Sequence, residues 1–396
     1  MLERQAPQII TARGTKPRVA IVHDFLNQSG GAEEVLREIK GLFPEAPIFT
    51  LAYDKKRVPS DFNEWKIEPL GWSKRLPKMH KWYKYYMPLY PTMIEQMNLQ
   101  DFDLVISSSY LVAHGVLTRS ETAHLSYCYT PMRQAWELYF DYKHDYTKTG
   151  FKPKRDLFKF FYPIVFNYVR MWDRLASERV DFYSCISETT RRRIDKFYSR
   201  TADIIYPPVH TGKFKVRPKN EIGEFYLCLS RLVPYKRIDI AVEAFRKLDL
   251  PLIIAGDGVQ INYLKKIAGP KTKFLGWIDE AEKIELLESC RALVFPGVED
   301  FGIVPVEAQA AGRPVIALGE GGATETVIPE QTGVFFEHQS AESLLDAVER
   351  FQRLDFDPAI IANSAKRFDT AVFRENFKLW VEKRFSEFSR KIQEGK

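Results

Sequence analysis

ALVFPGVEDFGIVPVE, residues 292–307, is the stretch of sequence that decides the fold. Its apolar, β-rich start ends at Pro296, and Pro305 is expected to open a short helix. A strand, a loop and a helix start therefore follow one another, and the backbone amides at such a helix start offer a site for an anion. Glu299 lies in the predicted loop, and Glu307 lies in the predicted first helical turn.

Two carboxylates eight residues apart across such a loop could hold hydroxyls of a sugar and of a ribose, with the helix start facing a phosphate. An acidic residue in a first turn is also commonly just a partner of the helix dipole, and a loop glutamate is commonly solvated. Taken alone, Glu299 and Glu307 leave both interpretations open.

The spacing of Glu299 and Glu307 resembles the E-x7-E motif of retaining glycosyltransferases of family 4, and the flanking residues 301–304 and 307–312 strengthen the match. The resemblance implies an α/β protein of the GT-B fold, with two doubly wound parallel-sheet, Rossmann-like domains facing a cleft. It also implies that Glu299 orients the donor sugar and that Glu307 holds the ribose. Three backbone amides would assist Glu299: those of Gly302, Ile303 and Val304.

Length and composition set the outer limits of the prediction. A chain of 396 residues suits two domains of the usual size, and a net charge of +6 favours an anionic partner without demanding nucleic acid. The sequence shows no run of about 20 apolar residues and no signal-peptide core, so we expect a cytoplasmic protein. Four cysteines without zinc spacing predict buried thiols in a reducing compartment: Cys128, Cys185, Cys228 and Cys290.

A strand, a glycine pair and a helix also follow one another near the N-terminus. Residues 1–17 are polar and unpatterned, and we expect a loose tail there. The run 18–22 predicts a first parallel strand, and a helical pattern covers 34–42. Between them lie Gly30 and Gly31, whose amides can approach a diphosphate because no Cβ stands in the way. A plain loop with two glycines is the alternative; in the resembled family this loop faces the donor diphosphate.

Two segments combine basic and aromatic side chains. Trp72–Tyr90 holds five Lys or Arg residues and no acid among its tryptophans and tyrosines, and Lys152–Tyr162 is a second candidate. Near an anionic lipid surface each cation contributes about 1 kcal/mol. These segments predict reversible binding to the anionic inner-membrane surface and no binding of nucleic acid. A solvated basic helix that packs its aromatic residues inside is the alternative.

The segment Ala123–Glu137 carries a second signature. It is similar to the Y-C-H-T-P-M-R-x-A-W signature of the WbaZ-like mannosyltransferase branch of family 4, whose members build bacterial surface polysaccharides on lipid-linked acceptors. Tyr129 stands where that branch has His, at a position that the resemblance puts beside the donor sugar and among the catalytic residues. Because the family His can bond the 6-hydroxyl of the sugar, Tyr129 leaves open whether the donor carries mannose or a 6-deoxy sugar such as fucose or rhamnose.

Two prolines near residue 207 break the regular pattern and indicate a domain boundary. We expect an N-terminal, acceptor-side domain over 18–206 and a C-terminal, nucleotide-sugar-binding domain over 207–372. The amphipathic pattern at the C-terminus predicts a helix, which by family resemblance crosses back to the first domain over 373–396.

The second domain carries two cations at the end of the predicted strand 225–230. Ligands of open parallel sheets bind beyond the carboxyl ends of the strands, which is where Arg231 and Lys236 fall. Charge-assisted hydrogen bonds to phosphate are about twice as strong as neutral ones, although loop cations are otherwise commonly solvated. The pair matches the family motif, which implies that both cations neutralise a departing nucleoside diphosphate. The family also places its nucleobase near Ile278 and Lys283.

Rival chemistries fit the sequence less well. The glycines of 30–31, 256–258 and 319–324 lack the G-x-G-x-x-G spacing of a nicotinamide enzyme. Asp101-Phe102-Asp103 has the D-x-D spelling of a metal-dependent transferase but precedes a buried strand, and the cation pair makes a metal unnecessary. We therefore expect no cofactor and no metal, with the nucleotide sugar as a substrate.

The sequence thus predicts a retaining hexosyltransferase that moves a sugar from a nucleoside-diphosphate donor, GDP-linked, to a lipid-linked glycan at the inner face of the membrane. Diphosphate would leave toward Arg231, Lys236 and the amides of Gly30 and Gly31. The acceptor hydroxyl would attack from the same face and pass its proton to the leaving phosphate. Two other classes stay open: a non-catalytic nucleotide-sugar-binding partner subunit of the same fold, and a phosphorylase or epimerase.

Overall fold

The computed structural model describes residues 7–11, 14–71, 83–140 and 152–395, except for the side chains of 83–85 and 152–159. Its backbone contacts divide the chain into two compact units. Unit 1 consists of Met1–Ile205 and Arg374–Lys396, and unit 2 consists of Tyr206–Phe373.

Among the residues that the structure describes, the first segment of unit 1 contains a parallel sheet and four helices. The strands are β1 Val19–His23, β2 Ile48–Thr50, β3 Ile67–Pro69, β4 Leu104–Ser109, β5 Ala123–Cys128, β6 Phe182–Cys185 and β7 Ala202–Ile204. The helices are α1 Gly31–Leu42, α2 Tyr90–Ile94, α3 Lys152–Ala176 and α4 Glu188–Tyr198. The strand order is β3-β2-β1-β4-β5-β6-β7, and every neighbouring pair is parallel.

Unit 2 repeats this architecture on a smaller scale. Its strands are β8 Tyr226–Leu229, β9 Leu252–Ala255, β10 Thr272–Gly276, β11 Ala292–Phe295, β12 Val315–Leu318 and β13 Gly333–Phe336. Its helices are α5 Ile238–Leu248, α6 Ile261–Ile267, α7 Glu280–Ser289, α8 Ile303–Ala310, α9 Ala323–Thr326, α10 Ala341–Gln352 and α11 Pro358–Ala365. The order is β10-β9-β8-β11-β12-β13, again with parallel pairing throughout.

The central strands are buried because both faces of each sheet are covered. Every residue of β4, β5, β11 and β12 is buried, as expected for parallel strands that carry helices on both sides. The predicted fold class, two parallel-sheet α/β domains, is confirmed. All four cysteines are free and buried, which confirms the predicted buried thiols.

The last helix, α12 Thr370–Gln393, packs most of its length on unit 1. Trp380 Nε1 donates to Asp203 Oδ2 at 2.8 Å, and Arg384 Nη2 reaches the same oxygen at 2.6 Å. Within the described ranges, no helix is both long enough and apolar enough to cross a membrane.

Part of the predicted N-terminal tail is fixed on unit 1, which corrects the expectation of a loose segment. Ile9 is buried, and the Gln8 N–H donates to Glu382 Oε1 at 2.7 Å. The reason is local: residues 9 and 10 are isoleucines, and one of them finds an apolar surface to cover.

The basic and aromatic segments are only partly described. Residues 72–82 of Trp72–Tyr90 lie outside the described residues. The last residue of each segment is buried: Tyr90 packs 5.3 Å from Phe25, and Tyr162 packs 4.3 Å from Phe166. These two tyrosines cannot face a membrane surface, so for them the alternative of aromatic residues packed inside is correct.

Candidate functional site

Three loops of unit 2 meet where the adjacent strands β8, β11 and β12 end. A Cβ on Gly297 would lie 3.0 Å from the Lys236 backbone, and a Cβ on Gly322 would lie 2.2 Å from Phe301 Cα. The Gly322 N–H also donates to the Glu299 carbonyl at 2.8 Å. Glycine at these positions allows the loops to touch through their backbones. The polar side chains of the loops are thereby held in one place.

Lys236 and Glu299 form an ion pair at this meeting point. Lys236 ends a short 3-10 helix that follows β8, and Glu299 lies in the loop after β11, as predicted. Both are largely sheltered, with 13% and 25% of their side chains exposed. The Tyr235 ring lies 5.3 Å from the Lys236 ammonium. The structure thus pairs Lys236, predicted to bind the diphosphate, with Glu299, predicted to orient the donor sugar. Each of the two side chains holds the other in position.

Arg231 lies near this pair but is exposed. Its Nη2 donates to the Tyr235 hydroxyl at a long 3.4 Å. No ion pair found among the described residues involves Arg231. Its guanidinium therefore keeps donors for an incoming anion, and a guanidinium fork suits the oxygens of a phosphate.

The start of α8 corrects the sequence prediction. The helix begins at Ile303, so Pro305 is its third residue and Glu307 its fifth, beyond the first turn. The early start is possible because Gly302 adopts a left-handed conformation with φ +86°, which glycine tolerates. Proline fits the third position because its missing N–H would have no partner within the helix.

The amides at the start of α8 remain available for an anion. No side chain caps the helix at Gly302, among the residues that the structure describes. The predicted amides of Gly302, Ile303 and Val304 therefore lie at the helix start next to the Glu299 loop.

A second carboxylate of unit 2 is paired with a lysine from a neighbouring helix. Glu307 Oε1 accepts from Lys283 Nζ at 2.8 Å, and Lys283 also lies 3.0 Å from Glu280. Burial raises the pKa of Glu307, and the lysine opposes that rise. Burial would lower the pKa of Lys283, but the two carboxylates outweigh it and raise it. The predicted Ile278 is half-buried just before α7, the helix that carries Lys283.

The glycine loop of unit 1 also leads into an uncapped helix. Gly30 is the residue before α1 and Gly31 is its first residue, and within the described chain no side chain caps this end. Glu33 lies in the first turn and is fully buried. Neither of its carboxyl oxygens has a hydrogen-bond partner among the described residues. No sequence motif singles out this glutamate.

Tyr129, directly after β5, bonds to the start of α1 beside the glycine loop. Its hydroxyl donates to the Ala32 carbonyl at 3.0 Å and lies 2.8 Å from Ser108 Oγ, which in turn lies 3.0 Å from His23 Nδ1. The side chain is only 8% exposed. Its hydrogen bonds tie the first turn of α1 to the ends of β1 and β4. These contacts support a positioning role for Tyr129 under the glycine loop, and its place among the catalytic residues stays a prediction.

Asp24, directly after β1, holds a loop beside the same network. Its two carboxylate oxygens accept four consecutive backbone N–H groups, those of Tyr110, Leu111, Val112 and Ala113, at 2.6–3.0 Å. The sequence offered one signal for it: an acidic residue at the carboxyl end of a buried strand.

Glu33 should make the stability of unit 1 depend on pH. Burial raises its pKa from the usual 4.5 to about 7, and the nearby Gln28 side chain and Gly30 backbone oppose the rise without reaching hydrogen-bond geometry. An acid whose pKa rises on folding contributes stability that is fully present below pH 4.5 and is lost as the pH rises through about 7. The loss amounts to about 3 kcal/mol.

Urea unfolding from pH 5 to pH 8 measures this effect. Glu33→Gln mimics the protonated acid, so its unfolding free energy should fall less with rising pH than that of the wild type. The matched control is Glu64→Gln, because Glu64 is an exposed glutamate of unit 1 away from Glu33, and it should keep the wild-type slope. Parallel profiles for the wild type and Glu33→Gln would contradict the prediction.

Part of the chain is similar to a known protein family. Residues 210–368 match the family model described as glycosyl transferases group 1. The structure superposes on a lipopolysaccharide outer core galactosyltransferase, WaaB, with a TM-score of 0.64 at 14% identity, covering 92% of this chain and 99% of that one. Such low identity shows the fold alone. The predicted resemblance to glycosyltransferases of the GT-B fold is confirmed.

Two curated relatives show which glycosyltransferases the chain is similar to. Over 224 residues the chain is 32% identical to a GDP-mannose-dependent alpha-(1-6)-phosphatidylinositol monomannoside mannosyltransferase of Mycobacterium tuberculosis, covering 49% of this chain and 58% of that protein. It is 25% identical over 224 residues to the alpha-1,3/1,6-mannosyltransferase ALG2 of Candida glabrata, covering 44% and 49%. The chain thus spans about half the length of the curated relatives it matches, and both of these relatives are mannosyltransferases.

Proposed function

We propose that the protein is a retaining hexosyltransferase that uses a nucleoside-diphosphate sugar. One observation carries the proposal: exposed Arg231, which makes no ion pair within the described residues, lies beside the sheltered Lys236–Glu299 pair at the carboxyl ends of adjacent strands. Fixed cations at that edge suit a leaving diphosphate, and a carboxylate held beside them suits sugar hydroxyls.

The roles follow from the contacts of unit 2. Arg231 binds the diphosphate directly, and Lys236 shares its ammonium between the phosphate and Glu299. Glu299 then accepts from donor-sugar hydroxyls, next to the amides at the start of α8. Glu307, steadied by Lys283, accepts from ribose hydroxyls. In unit 1 the loop of Gly30 and Gly31 offers amides of the same kind to a phosphate.

Mannose linked to GDP is the donor that we propose, because one relative is named as GDP-mannose-dependent and both are named as mannosyltransferases. A 6-deoxy sugar is the second candidate, and Tyr129 favours it because a tyrosine occupies the place of the branch histidine. Transfer proceeds with retention and without a metal, and the leaving phosphate takes the proton of the acceptor hydroxyl.

The proposed acceptor is a lipid-linked glycan of bacterial surface polysaccharide synthesis. The similarity to a protein named for a phosphatidylinositol monomannoside supports an acceptor with a lipid anchor. Such an acceptor requires a protein that works at the cytoplasmic face of a membrane as a peripheral protein.

Thermal stabilisation by a panel of GDP-, UDP-, dTDP- and ADP-linked sugars tests the donor class. A ligand that binds only the folded state raises the melting temperature, so one nucleotide series should give a shift. We expect the GDP-linked sugars to raise the melting temperature. Comparing GDP-mannose with GDP-fucose and dTDP-rhamnose then tests which sugar is preferred. Binding without sugar transfer to any lipid-linked acceptor would instead favour the non-catalytic partner subunit. No shift with any donor would contradict the proposal.

A further inference from the structure

Helix α3 presents an apolar stripe to solvent. From residue 160 to 175, seven positions of the helix are exposed, and six of them are large hydrophobic residues. These residues, here called the α3 stripe, are Phe160, Phe161, Ile164, Tyr168, Met171 and Leu175. The exposed fraction reaches 67% at Phe160 and 62% at Leu175, so the stripe runs the full length of this part of the helix.

The spacing of the α3 stripe puts its members on one face. Steps of three and four residues from Phe161 to Leu175 follow the helical repeat, and the stripe is about 22 Å long at 1.5 Å per residue. The opposite face packs into the core of unit 1 through Tyr162, Phe166 and Val169. A helix that is apolar on both sides is normally covered on both sides. The α3 stripe is therefore a docking surface.

The charges of α3 indicate what covers the stripe. Its first eight residues contain four Lys or Arg residues and one Asp. At the other end Arg174 pairs with Glu178 at 3.2 Å, so the excess positive charge lies at the N-terminal end of the helix. Cations beside exposed aromatic and aliphatic side chains match an anionic lipid surface. A second copy fits less well, because the chain carries a net charge of +6 and like charges repel.

We propose that the α3 stripe inserts into the interfacial region of an anionic phospholipid membrane, with the helix lying along the surface. This inference deepens the proposed function, because a lipid-linked acceptor lies in that surface. It also extends the sequence prediction, which ended at residue 162, by three further helical turns. Ile164, Tyr168, Met171 and Leu175 are then the residues that contact acyl chains.

Vesicle co-sedimentation tests the proposal without any donor or acceptor. The full chain should bind phosphatidylglycerol-containing vesicles at least about tenfold better than pure phosphatidylcholine vesicles, and high salt should weaken that binding. The variant Ile164→Gln, Met171→Gln, Leu175→Gln should lose most of the binding. Its matched control places the same three glutamines at exposed apolar residues elsewhere, Leu354→Gln, Ile360→Gln and Leu379→Gln, and should bind as the wild type does.

Two results would overturn the inference. One is equal vesicle binding by the stripe variant and the wild type. The other is a wild-type dimer in size-exclusion chromatography that the stripe variant converts to a monomer, which would assign the stripe to a second copy of the chain. Melting-temperature shifts with nucleotide sugars, measured on the same variant, distinguish failure of this inference from failure of the proposed function. The inference is supported if the stripe variant loses vesicle binding but keeps the melting-temperature shift with nucleotide sugars. If no nucleotide sugar shifts the melting temperature of the wild type, the vesicle result still tests the inference.

Discussion

Arg231→Ala should lower kcat/KM for sugar transfer about 10²–10³-fold, or about 3–4 kcal/mol of transition-state stabilisation. The reason is that Arg231 is an exposed cation beside the Lys236–Glu299 pair, and its bond to Tyr235 is a long one that is easily released before it binds an anion. Its main partner is the charge that develops on the leaving diphosphate, so kcat should fall more than KM rises. Steady-state transfer kinetics at saturating acceptor measure both constants.

The control must remove a cation of unit 2 that has no place in the site. Arg353→Ala serves, because Arg353 is exposed near the end of α10, and its transfer kinetics should stay within about twofold of wild type. An Arg231→Ala variant with unchanged kcat would assign the diphosphate to other groups. The same variant should also lose the melting shift with the active nucleotide series, which ties the kinetic loss to binding of the phosphate.

Fold class was predictable because it depends on patterns that are local in sequence. Apolar β-branched runs such as those of β1 and β11, each followed by a glycine loop and a helical pattern, suffice to predict parallel sheets. Exact helix starts were less predictable. The sequence began α8 at Pro305, but proline is tolerated throughout the first turn, so Gly302 and its backbone conformation decide the start.

The sequence predicted which residues belong to the candidate site, but it did not predict which of them contact each other. Arg231, Lys236 and Glu299 were found from motifs, yet the pairing of Lys236 with Glu299 joins residues 63 positions apart. That contact depends on β8 and β11 being neighbours in the sheet. Strand order is a property of the whole domain, and no local pattern carries it.

Buried acids were missed for a different reason. Glu33 and Asp24 lie in polar, loop-like sequence, where an acidic residue is normally solvated. The burial of Asp24 becomes visible only when the loop after β4 folds over it. The orientation of α3 was likewise undetermined, because apolar residues surround the helix and periodicity alone cannot tell the core face from the α3 stripe.

Asp24→Asn should destabilise unit 1 by about 3–5 kcal/mol, the largest stability loss that we expect from a change that preserves volume. The wild-type carboxylate accepts four backbone N–H groups, two on each oxygen. An asparagine keeps one acceptor oxygen, and its amide nitrogen must then face two N–H donors in a buried site. Those two donors lose their partners, and the loop 110–113 loses the group that orders it.

Urea unfolding followed by tryptophan fluorescence isolates this effect, because Trp277 is the only tryptophan of unit 2 and the other six lie in unit 1. Asp101→Asn is the matched control, since Asp101 is 84% exposed and 3.9 Å from Arg18, and it should change the free energy by less than about 0.5 kcal/mol. A loss below about 1 kcal/mol for Asp24→Asn would mean that water replaces the missing acceptor. The four amides would then be ordered by the strand end itself, and the carboxylate would be dispensable for the fold of the loop.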